Sequence, residues 1–265
     1  MATVKDIFDS LCVLAPLERK MSYDNPGLLV GEPGRTVHRV LAALDVTEDV
    51  IGEAAGLGAE LVVSHHPVIF GEGMKAVLDT DPTGMRIIAL VRSGISAICM
   101  HTNLDVSAGG VNDALAKAVG IAEPGCITAD GVGADGREYG IGRFGLIRRE
   151  TPLADFLPFV KSALGANGLR YLDAGKPVRK VAVCGGAGGD ELAAVAALGC
   201  DTYVTADVKY NVFLDAASLG LNLIDAGHFP TENVVVPVLA EYIRAHFPQL
   251  DVRVSALHVQ PESFI

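Results

Sequence analysis

The chain has 265 residues, half of them hydrophobic, and a formal net charge of −11 at neutral pH. This length accommodates one large domain or two modest ones. The sequence lacks the roughly 18 consecutive apolar residues that a membrane helix needs, and its charged N-terminal segment does not resemble a signal peptide. The acidic balance, without a Lys/Arg cluster longer than a pair, argues against nucleic-acid binding. We therefore expect a soluble, cytoplasmic protein without nucleic-acid or membrane partners.

The cysteines are odd in number and scattered, without a Cys-x-x-Cys pair: Cys12, Cys99, Cys126, Cys184 and Cys200. This spacing argues against a disulfide framework and against a zinc-thiolate site. A reducing cytosol fits best.

The first part of the chain alternates helical and strand patterns. In chain order the predicted elements are a helix at 3–15, strands at 40–44 and 61–64, a helix at 84–92 and a strand at 94–100. A further helical pattern joins the first two strands. Acidic Glu48 and Asp49 favour its start, and Leu57-Gly58 is a typical C-terminal cap.

The second part repeats this alternation after a predicted linker. Turn residues at 122–137 indicate the linker, so we place a first α/β lobe at 1–127 and a second at 128–265, whose C-terminal part is free to pack back on the first. The following elements are a bent strand at 138–148, a helix at 152–164, strands at 181–184 and 202–205, a helix at 211–219, a strand at 220–226 and a helix at 234–246.

An internal repeat relates the two lobes. Residues 37–68 align without a gap to residues 178–209, and each segment reads as strand, helix and strand. Two strands joined by a helix form a βαβ unit with parallel pairing. We therefore predict an α/β fold of two lobes, each with a mainly parallel βαβ-type sheet, that arose by internal duplication.

Three short segments rich in metal-ligand side chains follow predicted strands: SHHP (64–67), HTNLD (101–105) and GHFPTE (227–232). Ligands of parallel α/β sheets bind at the carboxyl ends of strands. Neighbouring residues of a regular strand point to opposite faces, so we assign His65 and His66 to different metals. A single histidine at a strand end is more often structural. The pair with two further clusters favours a metal site.

The other two segments each place a histidine four residues before an acid. Asp105 offers a hard carboxylate oxygen, and His101 could bind metal or orient a ligand. His228 and Glu232 repeat the spacing, and a carboxylate such as Glu232 can bridge two ions. Each pair alone is a weak signal, because such spacings are common by chance.

These motifs, together with DNPGL (24–28) and the GGAGG…TADVKY block, resemble the dinuclear-metal-centre hexameric proteins often labelled GTP cyclohydrolase 1 type 2. The resemblance runs from about residue 3 to residue 245 in matching order. It implies a homohexamer built as a trimer of dimers, and it places His101 beside the metal ligands. The ligands it implies, with Glu232 bridging, are His65, His66, Asp105, His228 and Glu232. The C-terminal tail departs from the family pattern, so the roles of His258 and Glu262 stay open.

Formal charge indicates what such a site would attract. Three neutral imidazoles and two carboxylates sum to −2, and two divalent cations add +4, which leaves about +2. Five side chains also supply fewer ligands than two ions need, because each ion binds roughly four to six. Coordination positions therefore stay open for water and for an anionic substrate. The absence of sulfur does not separate Zn, Mn, Fe, Co or Ni.

Further candidates are weaker. Residues 185–189, GGAGG, could cradle an anion with backbone N–H groups or could be a flexible turn before a helix. Asp207 and Lys209 fit either a substrate-facing position in a cleft or the surface. Asp24 and Asn25 read first as a turn, and the resemblance adds a substrate-side role for them. Asp45 ends a strand near the metal segments and could support a metal ligand from behind.

We expect a metal-dependent hydrolase acting on a small anionic, nucleotide- or pterin-like substrate, with Glu232 and His101 as catalytic residues. The family label points to GTP ring opening. A phosphomonoester or phosphodiester hydrolase suits a two-metal site equally well. A non-catalytic metal-binding scaffold is the alternative from a different class.

Overall fold

The computed structural model describes residues 1–71 and 74–265. The chain forms two compact units: unit 1 comprises 1–107 with 235–259, and unit 2 comprises 108–234 with 260–265. The boundary expected at residues 127 and 128 lies inside unit 2, and the C-terminal helix and strand belong to unit 1. Among the described residues, no helix has the length and apolar character to cross a membrane.

Helices and strands alternate along the chain. The strands are β1 (Gly27–Val30), β2 (Arg39–Ala43), β3 (Leu61–Ser64), β4 (Ser96–Cys99), β5 (Ile121–Gly125), β6 (Thr128–Val132), β7 (Glu138–Ile141), β8 (Arg143–Thr151), β9 (Arg170–Leu172), β10 (Val178–Val183), β11 (Thr202–Thr205), β12 (Asn222–Asp225) and β13 (Asp251–Val254). The helices are α1 (Val4–Leu14), α2 (Glu48–Leu57), α3 (Pro82–Ser93), α4 (Thr102–Val106), α5 (Val111–Ala118), α6 (Leu153–Leu164), α7 (Leu192–Ala197), α8 (Tyr210–Leu219), α9 (His228–Asn233) and α10 (Val236–His246).

The sheet of unit 1 has the order β1-β4-β3-β2-β13. Strands β4, β3, β2 and β13 are parallel, and β1 pairs antiparallel with β4. Strands β3 and β4 are buried at every position, as expected for parallel strands covered on both faces. The adjoining α2 starts at Thr47, whose side chain caps the helix, and ends at Gly58 in the left-handed conformation.

The sheet of unit 2 has the order β5-β8-β10-β11-β12-β9 and is mixed. Only the pairings β10 with β11 and β11 with β12 are parallel in this sheet as described. The prediction of a mainly parallel sheet is therefore wrong for unit 2. Parallel neighbours need a crossover connection, whereas the β6–β7 hairpin lies between β5 and β8 and lets them pair antiparallel.

The predicted linker at 122–137 is also wrong, because it carries most of β5 and all of β6. The turn-type residues mark irregular pairing instead: the register shifts between Ala122 and Gly125 and between Ala129 and Gly131. The bent strand expected at 138–148 is split at Gly142, whose φ of +58° suits glycine.

The two repeat segments have matching local topology. Residues 37–68 contain β2, α2 and β3, and residues 178–209 contain β10, α7 and β11; each strand pair is parallel. Each segment is thus a βαβ unit. Their common origin by duplication remains a prediction.

Candidate metal centre

Three histidine rings meet where two parallel strands of unit 1 end. His65 and His66 follow β3, and His101 follows its neighbour β4. The ring centroids are 5.0 Å apart for His65 and His66, 5.2 Å for His65 and His101, and 5.6 Å for His66 and His101. One ring nitrogen of each lies within 4.8 Å of the other two. We call His65, His66 and His101 the histidine cluster. Because β3 ends at Ser64, strand alternation does not separate the adjacent histidines.

Each ring of the histidine cluster is held through Nδ1 by an oxygen acceptor. His65 Nδ1 lies 2.8 Å from the backbone oxygen of Met100, His66 Nδ1 lies 2.7 Å from Asp45 Oδ1, and His101 Nδ1 lies 2.7 Å from Asp24 Oδ1. Carbonyl and carboxylate oxygens only accept hydrogen bonds, so the proton sits on Nδ1 in all three rings. This tautomer leaves Nε2 as the metal-binding nitrogen.

Asp105 lies close to the Nε2 side of this cluster. Its Oδ1 is 3.5 Å from Nε2 of His65, whose side chain is fully buried. Two ligand atoms that each sit about 2.1 Å from one ion are separated by roughly 3.0–3.5 Å. The spacing of Asp105 and His65 therefore suits two ligands of the same ion.

Asp24 is 4% exposed and positions His101. Besides His101 Nδ1, its carboxylate accepts from the backbone N–H and hydroxyl of Thr102 and from the backbone N–H of Asn25. Burial opposes ionisation of this carboxyl, but hydrogen bonds from His101 and Thr102 outweigh it and lower its pKa well below the usual range. The predicted substrate-side role of Asp24 and Asn25 stays a prediction; the contacts assign Asp24 to the support of His101.

Unit 2 has a second group of metal-ligand side chains, at the end of β12. His228 begins α9 and Glu232 follows one turn later, so both lie on the same helix face. His228 Nε2 is 3.0 Å from Glu232 Oε2, and Glu232 is 4% exposed. His228 Nδ1 lies 2.7 Å from Asp207 Oδ2. We call His228 and Glu232 the His–Glu pair; its histidine is held in the same way as those of unit 1.

Asp207 holds His228 from an unusual backbone conformation. It follows β11 with a φ of +51°, a region that few residues other than glycine, asparagine and aspartate occupy. The next backbone N–H, that of Val208, donates to Asp225. Non-glycine residues in this region store strain that surrounding contacts must offset, and such residues cluster at functional sites. Lys209 is exposed before α8, and its predicted substrate role stays a prediction.

The glycine-rich loop at 185–189 lies against the His–Glu pair. The N–H groups of Gly185, Gly186 and Gly188 donate to the side chains of Asn112, Thr231 and Thr205. A Cβ at Gly186 would overlap Glu232 Oε1, and its φ of +64° also disfavours a side chain. Three N–H groups that an anion cradle would need are thus engaged elsewhere. The glycines make room for Glu232.

The sequence profile of the Duf34/NIF3 (NGG1p interacting factor 3) family matches residues 2–262. The chain belongs to this family. It is 35% identical over 242 residues to a Clostridium perfringens (strain 13 / Type A) protein named "GTP cyclohydrolase 1 type 2 homolog", with 91% of each chain covered. A Clostridium acetobutylicum protein of the same name is 30% identical over 266 residues, with 98% of each covered.

Solved structures share this fold along the whole chain. A Bacillus cereus protein related to NIF3 superposes with a TM-score of 0.92 at 26% identity, covering 100% of this chain and 99% of that one. A Staphylococcus aureus hypothetical protein gives a TM-score of 0.90 at 28% identity, with 99% of each chain covered. The family resemblance and the mixed α/β fold inferred from the sequence are confirmed.

The side chains of this Duf34/NIF3 chain fit a divalent metal. The donors in both units are imidazole nitrogens and carboxylate oxygens, the ligand types of zinc, manganese, iron, cobalt and nickel. The sequence analysis named Asp45 as a possible support of the metal ligands but did not predict that Asp24 and Asp207 hold histidines. The carboxylates of Asp24 and Asp207 hold His101 and His228, and their predicted substrate roles stay predictions. The usable signal was the place of Asp45 and Asp207 directly after strands that neighbour a histidine-bearing strand.

Proposed function

We propose that this chain binds two divalent metal ions and hydrolyses a small anionic substrate of nucleotide- or pterin-like chemistry. The proposed ligands are His65, His66, Asp105, His228 and Glu232. The relatives named "GTP cyclohydrolase 1 type 2 homolog" support the substrate class. The observation that carries the proposal is the common state of four histidines, each with Nδ1 engaged by an oxygen acceptor.

This arrangement favours metal binding over a purely structural role. A buried histidine with a purely structural role can form its hydrogen bond through either ring nitrogen and with a donor or an acceptor of any type. Metal-ligating histidines instead donate the second ring N–H to a carboxylate or backbone carbonyl, which fixes the ring and raises its basicity. Here Asp45, Asp207 and the Met100 carbonyl accept this hydrogen bond from three of the proposed ligands.

The side chains have separable roles in the proposed reaction. Two divalent ions held by these five side chains would supply a water of lowered pKa and would polarise the bond to be cleaved. Glu232 would be a ligand shared by both ions. His101, held by Asp24, orients the substrate by a hydrogen bond from its Nε2 side.

We also propose, from the family resemblance, that six copies of the chain assemble. The molar mass measured by light scattering tests this proposal.

The test combines metal analysis with turnover of candidate substrates. Wild-type protein loaded with Mn or Zn should approach two ions per chain, and His66→Ala should lose about one. GTP, pterin triphosphates and phosphoesters form the substrate panel. Glu232→Gln should lose metal and reduce turnover by at least about 100-fold, because it removes a ligand charge and the proposed bridge. The matched control is Glu241→Gln, an exposed glutamate on α10.

Two outcomes would contradict the proposal. One ion per chain in saturated wild-type protein would rule out the dinuclear site. A substrate whose turnover does not change in Glu232→Gln would show that the metals are not the catalyst, and the scaffold alternative would then be favoured. A preference for phosphoesters over GTP would redirect the reaction class to phosphoester hydrolysis.

A further inference from the structure

Phe70 is an exposed aromatic side chain beside the histidine cluster. Its ring centroid lies 5.7 Å from that of His101, with the ring planes at 88°. This is an edge-to-face contact. It engages at most one face of the Phe70 ring, so at least one face takes no part in it. Phe70 is nevertheless 57% exposed. A large apolar surface thus remains open to solvent directly next to a proposed catalytic histidine.

The neighbours of Phe70 in the chain do not share its exposure. Val68 is buried in the core of unit 1, and Ile69 packs against the same core. The loop is therefore anchored by apolar contacts up to residue 69, and the larger aromatic side chain that follows points outward. Exposed hydrophobic residues are common singly, so exposure alone would not identify a binding surface. The position beside His101 and the fixed backbone before it are the additional observations.

A hydrogen bond ties the Phe70 loop to the segment that supports His101. The side-chain amide of Asn25 donates to the backbone oxygen of Ile69 at 3.1 Å, and the neighbouring Asp24 accepts from His101. The Lys20 ammonium also donates to the backbone oxygen of Asp24 at 2.6 Å. Residues 24–25 thus hold the His101 ring directly and the backbone that precedes Phe70, so this part of the loop is fixed before any ligand arrives. A side chain carried on a fixed backbone loses less conformational freedom on binding.

We propose that Phe70 is a stacking platform for the planar heteroaromatic ring of the substrate. This inference rests on the proposed function. It adds a binding site for the ring of the substrate, which the metal ligands do not contact. The anionic group binds at the metal ligands, and a purine- or pterin-type ring lies on Phe70. Asn25 is a positioning residue for this platform. Stacking on an aromatic side chain tolerates different bases because every base has a π-face.

The absence of tryptophan from the sequence allows a direct test. Phe70→Trp keeps an aromatic platform and introduces the sole tryptophan of the protein. Metal-loaded Phe70→Trp is titrated with GTP, guanosine and inorganic triphosphate while tryptophan fluorescence is recorded. GTP and guanosine should quench the fluorescence, and inorganic triphosphate should not.

Calorimetry on a second variant measures what the ring contributes. Phe70→Leu keeps an apolar side chain without a π-face and should weaken GTP binding by roughly 5- to 150-fold. Its affinity for inorganic triphosphate and its metal content should equal those of wild type. Phe159→Leu is the matched control, since Phe159 is a 46% exposed phenylalanine on α6 of unit 2. Its affinity for GTP should not change.

The outcomes separate this inference from the proposed function. If wild type binds inorganic triphosphate as tightly as GTP, the platform is wrong and the anion site stands. If guanosine binds in a Phe70-dependent way and triphosphate does not bind, the platform stands and the anionic substrate class is wrong. If none of the three probes binds, both are wrong. A changed oligomer mass or metal content in Phe70→Leu would assign the ring to a contact between copies or to support of the histidine cluster.

Discussion

In unit 1, Asp45 follows β2 and accepts a hydrogen bond from His66, which follows the neighbouring parallel strand β3. In unit 2, Asp207 follows β11 and accepts a hydrogen bond from His228, which comes shortly after the neighbouring parallel strand β12. The distance is 2.7 Å in both cases. Both units therefore use adjacent parallel strands to place a carboxylate against Nδ1 of a histidine.

The surroundings of the two pairs differ. The histidine cluster packs three rings against one another, one pair tilted and two pairs T-shaped, and its backbone lies outside the left-handed region. The His–Glu pair instead depends on left-handed backbone at Asp207 and at Gly186. Side-chain packing adapts to small changes more easily than a backbone conformation that few residues adopt. Unit 2 should therefore be the more sensitive of the two to single backbone substitutions.

Gly186→Ala tests this sensitivity and should have the largest effect. The new methyl group would meet Glu232 Oε1, and the positive φ adds strain. A ligand displaced by about 1 Å is expected to cost roughly 100-fold in turnover, together with weaker metal retention measured by elemental analysis. Gly189→Ala is the control in the same loop, because its Cβ would only meet Val212 at ordinary contact distance. Equal metal retention and turnover in both variants would refute the dependence of the His–Glu pair on the backbone conformation at Gly186.

Asp45→Asn and Asp207→Asn test the shared feature of the two units. Each substitution removes the charge that supports a histidine, and each should weaken binding of one ion by about 10- to 100-fold, measured by competition with a chelator. Asparagine also tolerates the left-handed backbone at 207, so strain does not confuse the comparison. Asp215→Asn, on the exposed side of α8, is the control. A loss in only one of the two variants would show that the matching geometry does not have a matching role.

The strands that carry the ligand side chains could be predicted from the sequence. Parallel strands buried on both faces require short apolar runs, and the runs at 61–64 and 202–205 are β3 and β11 as predicted. The SHHP motif after β3 gave His65 and His66 as candidate ligands, and the GHFPTE motif after β12, predicted at 220–226, gave His228. The reason is that polar side chains at the carboxyl ends of parallel strands share one edge.

Two of the supports, Asp24 and the Met100 carbonyl, could not be predicted in the same way. Asp24 reaches His101 across 77 residues, and no spacing rule connects the two. His65 is held by the backbone carbonyl of Met100. Any residue at position 100 has this carbonyl, so the identity of the side chain there does not predict the contact. Strand β13 joins β2 across more than 200 residues, as the contact of Arg39 with Asp251 shows. Such contacts are set by the packing of the whole unit rather than by local patterns.

Unit 1 has one further feature, the segment at 255–258 that follows β13. Glu53 accepts hydrogen bonds from the Ser255 hydroxyl and from the backbone N–H groups of Ala256 and Leu257. Next in the chain, His258 has its pKa lowered by burial, although its hydrogen bond to the backbone of Ser255 and the charges of Glu53 and Asp45 oppose this. Glu53 therefore fixes a segment that borders the support of His66, and Glu53→Gln should loosen that segment with little loss of global stability.

The pH dependence of this contact has a definite sign. Burial raises the pKa of Glu53, but the hydrogen bonds from Ala256, Ser255 and Leu257 outweigh it, so the pKa is lower than usual in the folded protein. The stabilisation is therefore complete above the ordinary carboxyl pKa of about 4.3 and is lost as the pH falls through the lower, folded value. Hydrogen exchange of the Ala256 and Leu257 amides, corrected for intrinsic rates, should accelerate at that acidic step in wild type. In Glu53→Gln the exchange should already be faster at pH 7 and should show no step. An acidic step that persists in Glu53→Gln would assign the titration to another group and remove Glu53 as the anchor.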